Sequence, residues 1–418
     1  MKNKLLAALL LAGVELISTP LYAVTVDITA SFVPDMKDPS NNTFKNTTPL
    51  GGVCSKWFSY CKRQGLDFSI LLPIDLARIF DIPADNKPRE GVYFKFPNST
   101  QVTVTNENQE STTLDFKIDM ISGTYGSVYS ANDYGWVRGA WAYAPIECGS
   151  TELGMSAGRA WYSFAWVYKG KPCAKISRLN RGGDDASKIW DQSIAYTLKT
   201  PNPLSLGSGL YKGQIKWLVG PGGDVDYGDN FKPSASELVI NFTLSVTHEL
   251  KVTPLTGATD VTLYPCYHGT SCTQAEADKN WERWMVTNVT PQKMSGRSEF
   301  NLSSSGGFTV YMQCGNGAAL SNSSCAMTST KSGTVVPVQA VLTLPDNITD
   351  TAGQRVINKP LFTEKNKNQN KFQTKSFGVD KKGWVDFVIN QKEVKEMLKT
   401  RPDSWEGTVT LVFDPNLY

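Results

Sequence analysis

Through most of the chain, apolar and polar residues alternate with a period of two, in short runs broken by glycine, proline, asparagine and serine. Half-buried strands give that pattern, because successive side chains point to opposite faces. It predicts strands over 24–28, 101–105, 113–118, 211–219 and 238–246. A second series covers 261–264, 308–312, 337–344, 384–389 and 407–413. The run Gly220-Pro-Gly-Gly-Asp224 breaks one strand off sharply. A helical period shows in two places. Thr273-Gln-Ala-Glu276 is a capping box opening a segment that carries Trp281 and Trp284. Val394, Met397 and Leu398 form a narrow apolar stripe within 392–400, stopped by Pro402. The expected fold is all-β, two β-sandwiches with minor helical insertions.

The segment at the end of the sequence shapes the functional reading. Val409, Leu411 and Phe413 alternate there, and a β-domain closing on such a strand leaves its own edge uncovered. An open edge pairs readily with other chains unless something fills it, which predicts completion by a partner's strand. The plainer alternative is a strand paired on both sides within its own domain. At 418 residues the chain suggests two domains, each able to bury a core. The break is expected near His248, giving 24–248 and 249–418. The polar, Lys/Asn-rich stretch 363–372 reads as an exposed loop.

The first residues read as a signal peptide, 1–23. Lys2 and Lys4 precede the apolar run from Leu5 to Val14, and Leu21-Tyr-Ala23 is a small-residue cleavage site. No other stretch is apolar for about 20 residues, as a membrane span requires. Export fits the 8 cysteines: Cys54, Cys61, Cys148, Cys173, Cys266, Cys272, Cys314 and Cys325. An even count in an exported chain reads as disulfides. Their pairing stays open, although joining consecutive cysteines would make short loops, two in each half. A metal site would need Cys-x-x-Cys repeats or more histidines than His248 and His268. The net charge of +3, with Lys and Arg scattered, argues against nucleic acid.

Candidate recognition chemistry is densest between Tyr125 and Tyr168. Sugar rings present flat C–H faces to aromatic planes, and their hydroxyls need amide, carboxylate and guanidinium partners. Asn132, Asp133, Tyr134, Trp136, Arg138 and Trp141 supply these groups in a turn-prone segment, the candidate receptor-binding loop. Large aromatics in a sandwich more often fill the core. Asp224-Val-Asp-Tyr-Gly-Asp229 looks like half a calcium loop but lacks the distal bidentate Glu, so it reads as a solvated turn. Gly182-Gly-Asp-Asp185 reads as a flexible loop. A glycan-cleaving enzyme would need paired carboxylates in a groove. The first histidine of the chain is His248, so His-based acid–base chemistry has no place in the first half. No cofactor is expected, and the chain reads as a binder.

Together, the leader, the aromatic-rich first half, the cysteine-bearing second half and the alternating last strand resemble a two-domain tip adhesin of a bacterial chaperone–usher fimbria. The segments from Phe68 to Leu76, from Gly209 to Gly228 and from Val26 to Val33 add to that likeness. The resemblance implies that 249–418 is an immunoglobulin-like pilin domain lacking its last strand. A periplasmic chaperone would lend a strand until an adjacent subunit replaces it at the outer-membrane usher. Val409, Leu411 and Phe413 would line the groove, facing Val261 and Leu263. The implied site of action is the fimbrium tip at the cell surface, with a host or surface glycan as receptor. The chain departs from the pattern in running on to Asp414-Pro-Asn-Leu-Tyr418 and in its large second domain. Alternatives are a structural pilus subunit or a secreted glycan-cleaving enzyme. Val24, Val26 and Ile28 could form a donor extension, but the segment continues without a linker and is better read as a first strand.

Overall fold

The computed structural model describes residues 22–66, 68–127, 135–139, 143–150, 160–183, 187–269, 271–315 and 319–415. The expected signal peptide lies outside them, apart from Tyr22 and Ala23. The molecule is mostly β, with few helices. Its apolar residues gather into two large cores, one drawn from Val24 to Val246 and the other from Phe300 to Val394.

The first core is enclosed by one long, curled sheet. Its central order runs Lys188–Lys199, Ser111–Gly126, Ser99–Thr105, Gly209–Leu218, Glu237–Val246, Ala23–Phe32. Period-two alternation works cleanly in Glu237–Val246, where every second side chain is buried. Phe116, Tyr196, Trp217 and Phe242 interlock inside, with ring centroids 5.3–6.0 Å from Phe116. The strand Ser111–Gly126 starts by alternating and then becomes buried on both faces. Two short helices missing from the sequence reading, Gly52–Lys56 and Phe58–Arg63, explain the change. Clipped together by Cys54–Cys61, they cover the back face at Met120, Ala165 and Ala195. Each is too short for a helical period to show.

The opening strand is built into this sheet. Ala23–Phe32 pairs in parallel with Glu237–Val246 over its whole length, and near its end with Lys45–Asn46 on the other side.

The second core lies between two sheets. One has the order Leu250–Pro254, Lys293–Ser304, Gly378–Asn390, Val335–Thr343, Ser324–Ser329. The other runs Ile348–Asp350, Lys371–Thr374, Phe308–Cys314, Val409–Asp414. The disulfide Cys314–Cys325 staples one sheet to the other. All four bridges join consecutive cysteines.

Both expected helices are present. Gln274–Thr287 has Thr273 as its cap, with the reciprocal Glu276 bond in place. Gln391–Met397 runs on into a short 3-10 turn, Leu398–Thr400. Two expectations need correction. The strand placed at 261–264 begins only at Tyr264 and runs to Cys266. Val261–Leu263 instead crosses over Gly296, where an added Cβ would sit 2.4 Å from the Thr262 carbonyl. The stretch 363–372 is not wholly an exposed loop. It forms a 3-10 turn, Glu364–Gln369, and then buries Asn370 and Phe372. The Asn370 amide donates to Pro360 O and its carbonyl accepts from Phe362 N, so the polar side chain is satisfied inside.

Candidate functional site

The terminal strand Val409–Asp414 pairs antiparallel with Phe308–Cys314, from Cys314 opposite Val409 to Thr309 opposite Asp414. Among the described residues no strand pairs with its other flank. The first strand of the facing sheet, Leu250–Pro254, pairs among the described residues only with Lys293–Ser304 and is likewise an edge. Two unfilled edges thus border the same core on opposite sheets.

The side chains at this border are half-buried. Val310 and Met312 on the neighbouring strand are fully buried, whereas Val409, Leu411 and Phe413 all remain partly open. Beside Val409 lies a cleft of about 340 Å³ walled by Val261, Leu263, Met327, Val338 and Phe387, with Asp260 and Thr408 on its lining. The structure therefore brings Val409 to the same cleft as Val261 and Leu263. Phe413 lies farther along and packs edge-on against Phe300 of the facing sheet, centroids 5.2 Å apart, and against Phe308 at 6.4 Å. Leu411 contacts the same core. Val338 and Phe387 were not singled out in the sequence, because each reads there as an ordinary core residue of its own strand, and Met327 fell in no strand predicted there.

How the chain reaches this edge is also defined. Trp405–Glu406 pairs with Ser324–Ser329 in the larger sheet. At Gly407 the chain changes sheets; a Cβ there would lie 2.7 Å from the Ala326 carbonyl. Gly315 N then donates to Thr408 O at 2.8 Å, starting the pairing on the smaller sheet next to the Cys314–Cys325 bridge. Lys367 lies 3.6 Å from Asp414 and over the Tyr311 ring, pinning the strand's far end.

In the first half, Asn132, Asp133, Tyr134 and Trp141 lie outside the described residues. Trp136 is fully buried, its ring 6.0 Å from Tyr125 and under the Arg181 guanidinium at 4.0 Å. In this position it supports the segment and does not offer a face to a ligand. Tyr125, Tyr162, Trp166 and Tyr168 are also core residues. Arg138 is exposed, with a left-handed φ of 69°, a conformation unusual for a non-glycine residue. It lines a cavity of about 290 Å³ together with Tyr93, Ile146 and Glu147. Nearby, burial and then the Arg138 charge push the Lys175 ammonium down to about 7.

The half-calcium motif is turned inward, not solvated as a whole. Asp226 is buried and accepts from Arg89 at 2.8 Å and from the Gly222 and Gly228 amides. Burial raises the tendency of this carboxyl to protonate, but the Arg89 and backbone hydrogen bonds outweigh it and hold it below the usual carboxylate range. Asp229 bonds the same guanidinium, and Asp224 caps Leu218 N. These carboxylates serve the fold, and among the described residues no cluster of potential metal ligands forms. No helix among them is long and apolar enough to cross a membrane.

No family model matches the chain, and no curated protein does. Solved structures match it over nearly its whole length, and these are chaperone–usher fimbrial tip adhesins. One is a chaperone–tip adhesin complex of CFA/I fimbriae, with 10% identity, 95% of this chain and 97% of that chain covered, and a TM-score of 0.24. Another is CfaE, the adhesive subunit of CFA/I fimbria of enterotoxigenic Escherichia coli, at 9% identity, 93% and 92% coverage and 0.24. A third is the CsuC–CsuE chaperone–tip subunit complex of Acinetobacter baumannii, at 9%, 94% and 99%, and 0.20. The overlap is long but superposes loosely, so function has to follow from the geometry of this molecule.

Proposed function

We propose that this chain is an exported adhesin of the chaperone–usher type. Residues 24–248 bind a surface receptor, and residues 249–418 join a pilus by accepting a strand from another polypeptide. The observation supporting this reading is the terminal strand, paired on one flank and half-buried above an apolar cleft. A strand laid along that edge would extend the backbone pairing and cover Val409, Leu411 and Phe413. Burying an apolar side chain fully stabilises by about 1.5–3 kcal/mol, so three or four donor side chains are enough to hold a subunit firmly. The donor is first a periplasmic chaperone and then an adjacent pilin at the usher. The receptor is a glycan or another surface group met by the exposed rim of the first half, where Arg138 lies.

Co-expression tests the second half. The chain is expected to accumulate only with a fimbrial chaperone and to purify with it one to one, and Leu411→Asp is expected to abolish the complex. A monodisperse, stable monomer produced alone would overturn the reading. Turnover of a glycan by the purified protein would instead mark a glycan-cleaving enzyme.

A further inference from the structure

Near the root of the segment singled out in the sequence, the first half carries a groove that no motif announced. Trp190 is half-buried on the strand Lys188–Lys199, opposite Thr124. Its ring packs on Gly126, where an added Cβ would lie 2.5 Å from the indole. The groove in front of it has a volume of about 610 Å³ and is lined by Trp190, Pro233, Asp75, Lys188, Lys232 and Ser234, among others. That size suits a small ligand. Trp190 and Pro233 supply apolar lining. Around them stand a carboxylate at Asp75, a hydroxyl at Ser234, and two exposed ammonium groups, Lys188 and Lys232. Lys188 Nζ sits 5.1 Å from the indole centroid, and being exposed it can swing aside. Asp191, also on the lining, is engaged by Lys56 at 3.3 Å.

We infer that this groove is a saccharide subsite, with a sugar ring laid on Trp190, Asp75 accepting its hydroxyls, and Lys188 and Lys232 donating to its oxygens. An aromatic plane with mixed donors and acceptors on its rim matches a sugar, which has an apolar face and a polar edge. The inference deepens the receptor-binding reading of 24–248 and is independent of the donor-strand reading of 249–418.

The test uses the full chain, with its chaperone if it needs one. Lactose, N-acetyllactosamine and sialyllactose are titrated while tryptophan fluorescence and heat are recorded. At least one is expected to bind. Trp190→Ala should weaken it by about tenfold or more, while Trp190→Phe, which keeps a stacking face, should stay within about threefold. Lys232→Ala should weaken it by a smaller factor. Equal binding by wild type and Trp190→Ala, or binding of none of the three sugars, would overturn the subsite. Chaperone co-purification of the same variants separates the outcomes, since it reports on the borrowed strand whether or not Trp190 touches a sugar.

Discussion

Two strands of this molecule have similar sequences and different fates. Ala23–Phe32 and Val409–Asp414 both alternate, and both carry a phenylalanine towards one end. The opening strand has a full-length parallel neighbour on one flank and a short antiparallel one on the other. Ile28, Ala30 and Phe32 are fully buried. The terminal strand has a neighbour on one flank only among the described residues, and Val409, Leu411 and Phe413 stay half-open. Apolar alternation tells a strand which face to bury. Whether that face is covered depends on what lies beside it, and an uncovered face retains free energy that a partner can collect.

The contrast can be broken most strongly at Phe32. Its ring packs between Phe44 and His248 at 6.3 and 5.8 Å, so Phe32→Ala should destabilise the first half by about 3–5 kcal/mol in denaturant unfolding. Phe413→Ala, at an open edge, should cost the uncomplexed chain less, about 1–3 kcal/mol, because part of the ring already meets water. Equal losses would mean that the terminal strand is as enclosed as the opening one. The two should diverge further with a peptide of alternating apolar residues added. It should raise the melting temperature of the second half and leave that of the first unchanged.

A pH effect is expected where the two halves meet. His248 Nε2 lies 2.7 Å from Leu206 O, Nδ1 lies 3.3 Å from Ser305 Oγ, and the ring touches Phe32. Burial lowers its proton affinity, only partly offset by the Leu206 carbonyl and the Glu110 charge. The unfolded chain therefore takes up this proton first as pH falls. Stability from this group is fully present above the ordinary imidazole value of about 6.5 and declines below it. Thermal midpoints between pH 7.5 and about 5 should fall for wild type, and His248→Asn should flatten that part of the profile. The smallest effect is expected at Lys367→Ala. Its contact with Asp414 is partly solvated, so the loss should stay below about 1 kcal/mol in a melt.

Much of the architecture was legible in the sequence because it depends on local period. The strands read at 113–118, 211–219, 238–246, 308–312 and 337–344, the capped helix after Thr273 and the helix before Pro402 follow from residues within a few positions of one another, whereas the central strands Lys188–Lys199 and Lys293–Ser304 were not read from the sequence. The consecutive disulfides were suggested by grouping alone. The short helices over Met120 were not legible, since their reason for forming is a distant bare sheet face. Trp136 shows the same limit at a candidate site. Its surroundings in sequence are those of a recognition loop, yet Arg181 and Tyr125 enclose it. Trp190 stood in an unremarked strand and emerged beside a groove only when Leu76–Arg78 and Phe231–Pro233 came alongside.

By itself, then, the order of residues determined many of the strands, which face of each of those is apolar, and which cysteines lie near enough to join. These are short-range consequences of backbone geometry and side-chain period. Tertiary structure alone decided that Val261–Leu263 leaves its strand to cross Gly296, that Asp226 turns inward to Arg89, and that the edges at Leu250–Pro254 and Val409–Asp414 border one core. Those outcomes rest on contacts between residues far apart in the chain. Such contacts form only when the whole set of buried surfaces is satisfied at once.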